Sequence, residues 1–267
     1  MKRFYSPLFK GLFFLLFLSY FQTVSGIGEI QSWDARSFSL GKIHALSDAL
    51  GNPARLSFSD QKAIGLNVWN RFAMNELNTV DVHLKYPNRW VDAGAKFSTF
   101  GYSDYRLSQL QGLFSKKIRP DLAMGIHLKF LHESSIVEES DQEELSAGFG
   151  LFYRLNEQIN FAFSGENLLA TFKTKQWEIH LGGNYQMLDH AALFLETSGG
   201  KETNFQVSVG FEYAIMQDFL LRSGYCSLGK TPSFGLGYQW NKWRVDVGFA
   251  LHNVLGMSSV IGINYTL

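Results

Sequence analysis

The chain has 267 residues, 46% of them hydrophobic and 15% aromatic, yet its formal net charge is zero and its mean hydropathy is close to zero. Length and apolar content exclude a disordered tail protein and provide for one large domain with a substantial core. A single cysteine, Cys226, excludes an intramolecular disulfide framework and a cysteine-based zinc site.

The first 26 residues hold Lys2, Arg3 and Lys10 and no acid, which leaves 21 basic against 24 acidic residues in the rest. Those basic residues form no stripe, so no nucleic-acid partner is predicted. The charged start is followed by an apolar run from Leu12 to Leu18 and then by Val24, Ser25 and Gly26. That order predicts an export signal over 1–26, cleaved after Gly26, because the run is well short of the ~20 residues a spanning helix needs. Residues 27–62 carry no strand pattern. They hold an Ala- and Leu-containing segment from His44 to Leu50, then Gly51-Asn52-Pro53-Ala54-Arg55-Leu56. Asn52 reads as a helix N-cap and Pro53 as the first helical position.

From residue 63 the hydrophobic period becomes 2, the period of a strand, and persists to the last residue. In chain order the predicted strands are 63–72, 79–86, 90–100, 108–117, Leu122–Phe130, Leu145–Tyr153, 159–166, 176–185, 191–198, Phe205–Tyr213, 219–227, 233–240, Trp243–Leu251 and 258–267. Tight links fall at Pro87-Asn88, Arg119-Pro120-Asp121, Asn156-Glu157, Leu188-Asp189, Met216-Gln217 and Asn241-Lys242, and the links between them are mostly longer. Strands of about 9 to 11 residues, even in number, with turns at one end and loops at the other, predict an all-β fold. It is a 14-stranded antiparallel transmembrane β-barrel over 63–267, in the outer membrane, with both termini on the turn side, the periplasm.

A soluble sandwich would carry Lys, Glu and Thr on its outward face, whereas the second face here is dominated by Gly, Gln, Asn and Ser. Tyr86, Trp90, Tyr153, Tyr185, Tyr213, Trp240 and Trp243 gather near strand ends, as an interfacial aromatic girdle does. The alternation points Asp81, His83, Lys85, Asp92, Lys96, His127, Lys129, Arg154, Glu178, His180, Glu196, Glu212, Arg222, Arg244 and Asp246 into the lumen. Their mixed signs suit ion pairs between strands better than the one-sign ring of a selective pore. A barrel of this strand number is on the order of 25 to 30 Å across, too wide for side chains alone to close. Residues 27–62 are therefore the predicted plug.

Asn52-Pro53-Ala54, after an export signal and before fourteen strands, resembles the plug motif of the long-chain fatty acid transporter (FadL-like) family. The resemblance extends to the PorV and PorQ type of barrel in type IX secretion, whose plug segment reads Asn-Pro-Ala-x-Leu, with Leu56 in the last position. It implies an N-terminal plug and, in the transporters, a lateral opening made by a kink in an early strand. The function it implies is the passage or binding of hydrophobic small molecules, with a greasy pocket behind residues 44–56 and a break in the wall. The alternative it implies is an accessory barrel of type IX secretion, with a protein partner at the rim. The partners are thus outer-membrane lipid and either a hydrophobic ligand or a secretion-system protein.

No enzyme is predicted: the chain has no Gly-x-Ser-x-Gly, and His132-Glu133 lacks a second histidine at zincin spacing. No cofactor and no metal are predicted either. His83, His127 and His180 read as lumen hydrogen-bonding groups, and the run from Glu133 to Glu144 as a solvated acidic loop.

Overall fold

A computed structural model of the chain describes residues 30, 32–46, 51–136, 141–170, 177–201 and 204–267. The export signal expected over 1–26, the end of the His44–Leu50 segment, and Glu138 and Glu139 of the acidic run lie outside these residues.

The strands are β1 (Ala63–Asn70), β2 (Asn78–Tyr86), β3 (Asp92–Gly101), β4 (Tyr105–Arg119), β5 (Leu122–Ser135), β6 (Gln142–Arg154), β7 (Ile159–Ala170), β8 (Glu178–Leu188), β9 (Ala191–Gly200), β10 (Gln206–Met216), β11 (Phe219–Cys226), β12 (Thr231–Trp240), β13 (Trp243–His252) and β14 (Gly256–Thr266). Each pairs antiparallel with its chain neighbours, and β1 closes on β14 from Ala63↔Thr266 to Asn70↔Ser259. Closure satisfies the backbone donors and acceptors that an open edge would leave bare.

The period-2 pattern puts its apolar face outside. On β5, Met124, Ile126, Leu128 and Phe130 are 41–54% exposed, while the alternate Ala123, His127 and Leu131 are at most 1% exposed. A sandwich would bury the first set, so this burial distinguishes the barrel from it. β4, β5 and β6 run longer than their hydrophobic patterns, to 15, 14 and 13 residues. Their loop ends are polar, as at His132-Glu133-Ser134-Ser135, so the ladder continues after the alternation stops. At the turn end the links are fixed locally: Asn156 Oδ1 accepts from the N–H of Gln158 and Ile159 at 2.9 and 2.7 Å. The Arg119 guanidinium, hydrogen-bonded to Asp121, holds that carboxyl below its usual range.

The plug runs lengthwise through the lumen. Ile30 packs with Leu107 and Leu131 near the loop end. A helix, α1 (Ala35–Ser39), capped by Asp34, then packs on β11 to β14, and a 3-10 helix, Pro53–Phe58, packs on β3 to β6. Leu40, Ile43, Ala45, Leu46 and Ala54 of the plug form one buried cluster with wall residues that include Ala123, Phe152, Ala162 and Phe194. The helix at Ala35–Ser39 escaped the sequence reading because a segment this short shows no apolar stripe. The described N-terminal segment also begins near the loop end, not at the turn end where Leu267 donates its N–H to Lys62 O. Strand parity fixes where β1 starts and says nothing of a segment that traverses the lumen.

Candidate functional site: a plugged lumen with a chamber above it

The plug motif sits against wall glycines of β5 and β6. Asn52 is fully buried; its Oδ1 accepts the N–H of Ala54 at 3.0 Å, and its Nδ2 is shared among the carbonyls of Ala45, Leu151 and Phe163 at 2.9 to 3.2 Å. One side chain thus caps the 3-10 helix and ties it to β6 and β7. Two glycines admit this approach: a Cβ on Gly125 would lie 2.7 Å from Ala54 N, and one on Gly150 would collide with Asn52 Oδ1. Pro53 and Ala54 are buried, Leu56 packs with Leu113, and Ser57 Oγ donates to Asp92 at 2.6 Å.

The inward polar residues hold the rest of the plug. Arg36 makes a two-pronged bond to Glu212 at 2.8 and 2.9 Å; Arg222 joins Glu212 to Asp246, and Arg244 pairs with Asp246 as well. Ser32 Oγ donates to Asp81 and accepts from Lys96 Nζ at 2.6 Å. Glu196 takes the main-chain N–H groups of His44 and Ala45. His83 Nε2 lies 2.9 Å from Asn264 Oδ1, and Lys85 is buried nearby on β2. Asp92, Glu178, Glu212 and Arg244 are half-buried, and Arg154 is exposed at the turn-end rim. Sequence reasoning missed the plug's share of these contacts, Ser32, Arg36 and Ser57, because an irregular segment gives no facing rule.

Loopward of the plug lies a chamber of about 540 Å³. Trp33, Lys42 and His44 of the plug line it, with Gln109, Gln111, Lys129, Glu166, His180 and Gln206 of the wall. Of residues 44–56, His44 and Gly51 line the chamber, while Ala45, Leu46 and Ala54 pack against the wall. The open space is lined by amides and charges together with the apolar surfaces of Trp33, Ile30 and Leu228. His44 stacks on His180 with ring centres 4.3 Å apart, and Trp33 meets His44 edge-on at 5.9 Å. Glu166 pairs with Lys129 and lies 3.2 Å from His127 Nε2. Near the loop end Arg71 stacks on Trp69 and Phe100, and burial lowers its guanidinium to about 10.

The wall is irregular beside that cluster. Ala147 pairs with Leu169 and Phe149 with Gly165, so Glu166, Asn167 and Leu168 together oppose Gly148. Asn167 takes φ +51°, a left-handed conformation that asparagine tolerates better than most residues, and Leu168 is 36% exposed. β3, by contrast, pairs with β2 and β4 without a register shift. The sequence signal for the bulge is Gly165-Glu166-Asn167, which interrupts the alternation where the predicted strand 159–166 ends.

Comparison with protein families and with curated proteins finds no match. Among solved structures, the chain is similar to the Pseudomonas putida toluene transporter TodX at 13% identity and a TM-score of 0.66, over 91% of this chain and 98% of that one. It is similar to a Pseudomonas aeruginosa FadL homologue at 10% identity and a TM-score of 0.64, over 89% and 98%. It is also similar to the monoaromatic hydrocarbon channel CymD at 14% identity and a TM-score of 0.64, over 87% and 96%. The chain therefore has the fold of the FadL-type outer-membrane channels.

Proposed function

We propose that the chain is an outer-membrane channel, not an enzyme, that admits small apolar-bodied molecules to the chamber and releases them through the wall at the β7 bulge. The short turns then face the periplasm, as they do in outer-membrane barrels, and the exposed apolar belt faces lipid. The observation that carries this reading is the juxtaposition of a chamber floored by a well-anchored plug with a three-against-one interruption of the wall at Glu166–Leu168. A molecule leaving straight through the lumen would have to part the Arg36–Glu212 and Asn52 contacts. One leaving sideways passes the bulge into hydrocarbon, which favours apolar surface by about 25 cal/mol per Å². The solved relatives, a toluene transporter and a monoaromatic hydrocarbon channel, support an apolar body. The amides of Gln109, Gln111 and Gln206 favour a molecule that also carries a polar group. The secretion-accessory reading draws on compact outer loops and on the Asn52-Pro53-Ala54 and Leu56 resemblance, and the solved relatives lend it no support.

Deleting Asn167 and Leu168 restores one-to-one pairing opposite Gly148 and keeps every flanking side chain on its face. Uptake of labelled toluene and of labelled cresol by cells expressing this deletion should fall about tenfold or more if the bulge is the exit. Uptake equal to the parent's, with the deleted barrel folded, would refute the route.

A further inference from the structure

At the turn end, where the plug leaves the lumen, Phe58 of the plug packs on Phe152 of β6 with ring centres 4.9 Å apart. Three cations converge on this pair. Lys117 Nζ and Arg154 Cζ lie 5.0 and 4.8 Å from the Phe58 ring centre, and Arg55 Cζ lies 4.8 Å from that of Phe152. The register sets their direction: Lys117 pairs with the fully buried Ala123, and Arg154 is two residues along β6 from the buried Phe152. Both therefore face the barrel axis. Lys116, between Ser115 and Lys117, pairs with the outward-facing Met124.

Lys117 and Arg154 are exposed, and among the described residues neither makes an ion pair. Asp121 is engaged by Arg119, and Asp92 by Ser57 and the N–H of Asn88, while Asp60 and Glu157 make no ion pair with Lys117 or Arg154. A cation over an exposed ring gains only about 0.5 to 1 kcal/mol, and three like charges gathered there repel one another. Sealing the plug against the wall needs the two rings and none of the charges. What Lys117 and Arg154 do provide is a pair of donors outside any ion pair beside an aromatic floor, open to the turn side.

We infer that Lys117 and Arg154 beside Phe58 form a docking patch for an acidic, flexible segment of a periplasmic protein at the plug's exit. The inference rests on the orientation given under the proposed function, but not on what the chamber carries. Lipid phosphates do not fit, because the cations point to the barrel axis inside the rim while headgroups surround its outside. Carboxylates have the geometry and charge for Arg and Lys, and bind them more strongly than a ring face does. A docked segment would draw Lys117 and Arg154 away from Phe58, the residue that ends the plug's 3-10 helix.

The test uses the purified full-length protein in detergent, a fluorescent hexaglutamate peptide and a Ser-Gly peptide of equal length. Only the acidic peptide should bind, and its affinity should weaken steeply as salt rises from about 0.05 to 0.5 M. The double variant Lys117→Gln/Arg154→Gln should lose about tenfold or more, Arg154→Lys should bind like the parent, and Lys116→Gln should change nothing. Equal loss in Lys116→Gln, binding of the Ser-Gly peptide, no binding at low salt, or full displacement by about 10 mM inorganic phosphate would each overturn the inference. Heat-dependent gel mobility verifies that every variant is folded.

Discussion

Glu196 of β9 and His44 of the plug are joined through the plug's backbone: one carboxylate oxygen accepts the His44 N–H at 2.7 Å, while the other accepts that of Ala45 at 2.8 Å. The first oxygen also lies 3.2 Å from Nδ1 of His180, whose ring stacks on His44. Two consecutive main-chain donors here have no carbonyl partner, and the carboxylate serves in its place. In Glu196→Gln one donor faces an amide NH2 instead of an oxygen, a loss of about 1 to 3 kcal/mol. Liposome-swelling assays should show faster entry of a small sugar through this variant; an unchanged rate would mean that the contact does not hold the plug.

The seat of Asn52 permits two independent disturbances. Asn52→Ala removes the cap and the ties to β6 and β7, whereas Gly150→Val leaves Asn52 in place but fills the space its oxygen occupies. Both should raise sugar leakage to a similar extent while the barrel itself remains resistant to unfolding by detergent. Leakage in Asn52→Ala alone would mean that close approach at Gly150 is incidental.

Lys129 and Glu166 are a buried pair beside the bulge, both less than a tenth exposed. Removing one partner strands the other's charge, at about 3 to 5 kcal/mol. Lys129→Met and Glu166→Gln should each lower the midpoint of urea unfolding in micelles, and the double variant should recover much of the loss. Additive losses would show that Glu166 is held chiefly by its other neighbours, His127 and His44.

Trp33 offers the chamber's largest apolar face. Its ring meets His44 edge-on and belongs to none of the ion pairs that anchor the plug. Trp33→Ala should weaken binding of cresol to the purified protein about five- to tenfold, in line with the loss of one aromatic contact, and leave sugar leakage unchanged. A rise in leakage with unaltered cresol affinity would make Trp33 a plug residue and not a ligand-binding one.

Most of the wall was legible because a strand in lipid obeys a simple rule: Met124, Ile126, Leu128 and Phe130 must face out, and the register follows. Asn52-Pro53 was legible because capping chemistry is local. The β7 bulge was legible only as the break in alternation at Gly165-Glu166-Asn167, since nothing there says that three residues will face a single glycine. Arg36 was not legible. Its partner Glu212 is 176 positions away, and only the closed cylinder brings them together.

The residues between Ile30 and Phe58 also change what counts as the inside of this protein. In a water-soluble domain the wall would hide hydrocarbon and show charge; here Met124 and its row show hydrocarbon, while Glu196, Glu212 and Asp81 face the lumen and are matched partly by the wall, through His180, Arg222 and Lys96, and partly by the threaded segment. The segment is thus the barrel's interior rather than a stopper added to a finished tube. A cylinder closed at the β1–β14 seam without it would enclose acids missing the partners that the segment supplies. Assembly must bring the two together before, or as, that seam zips.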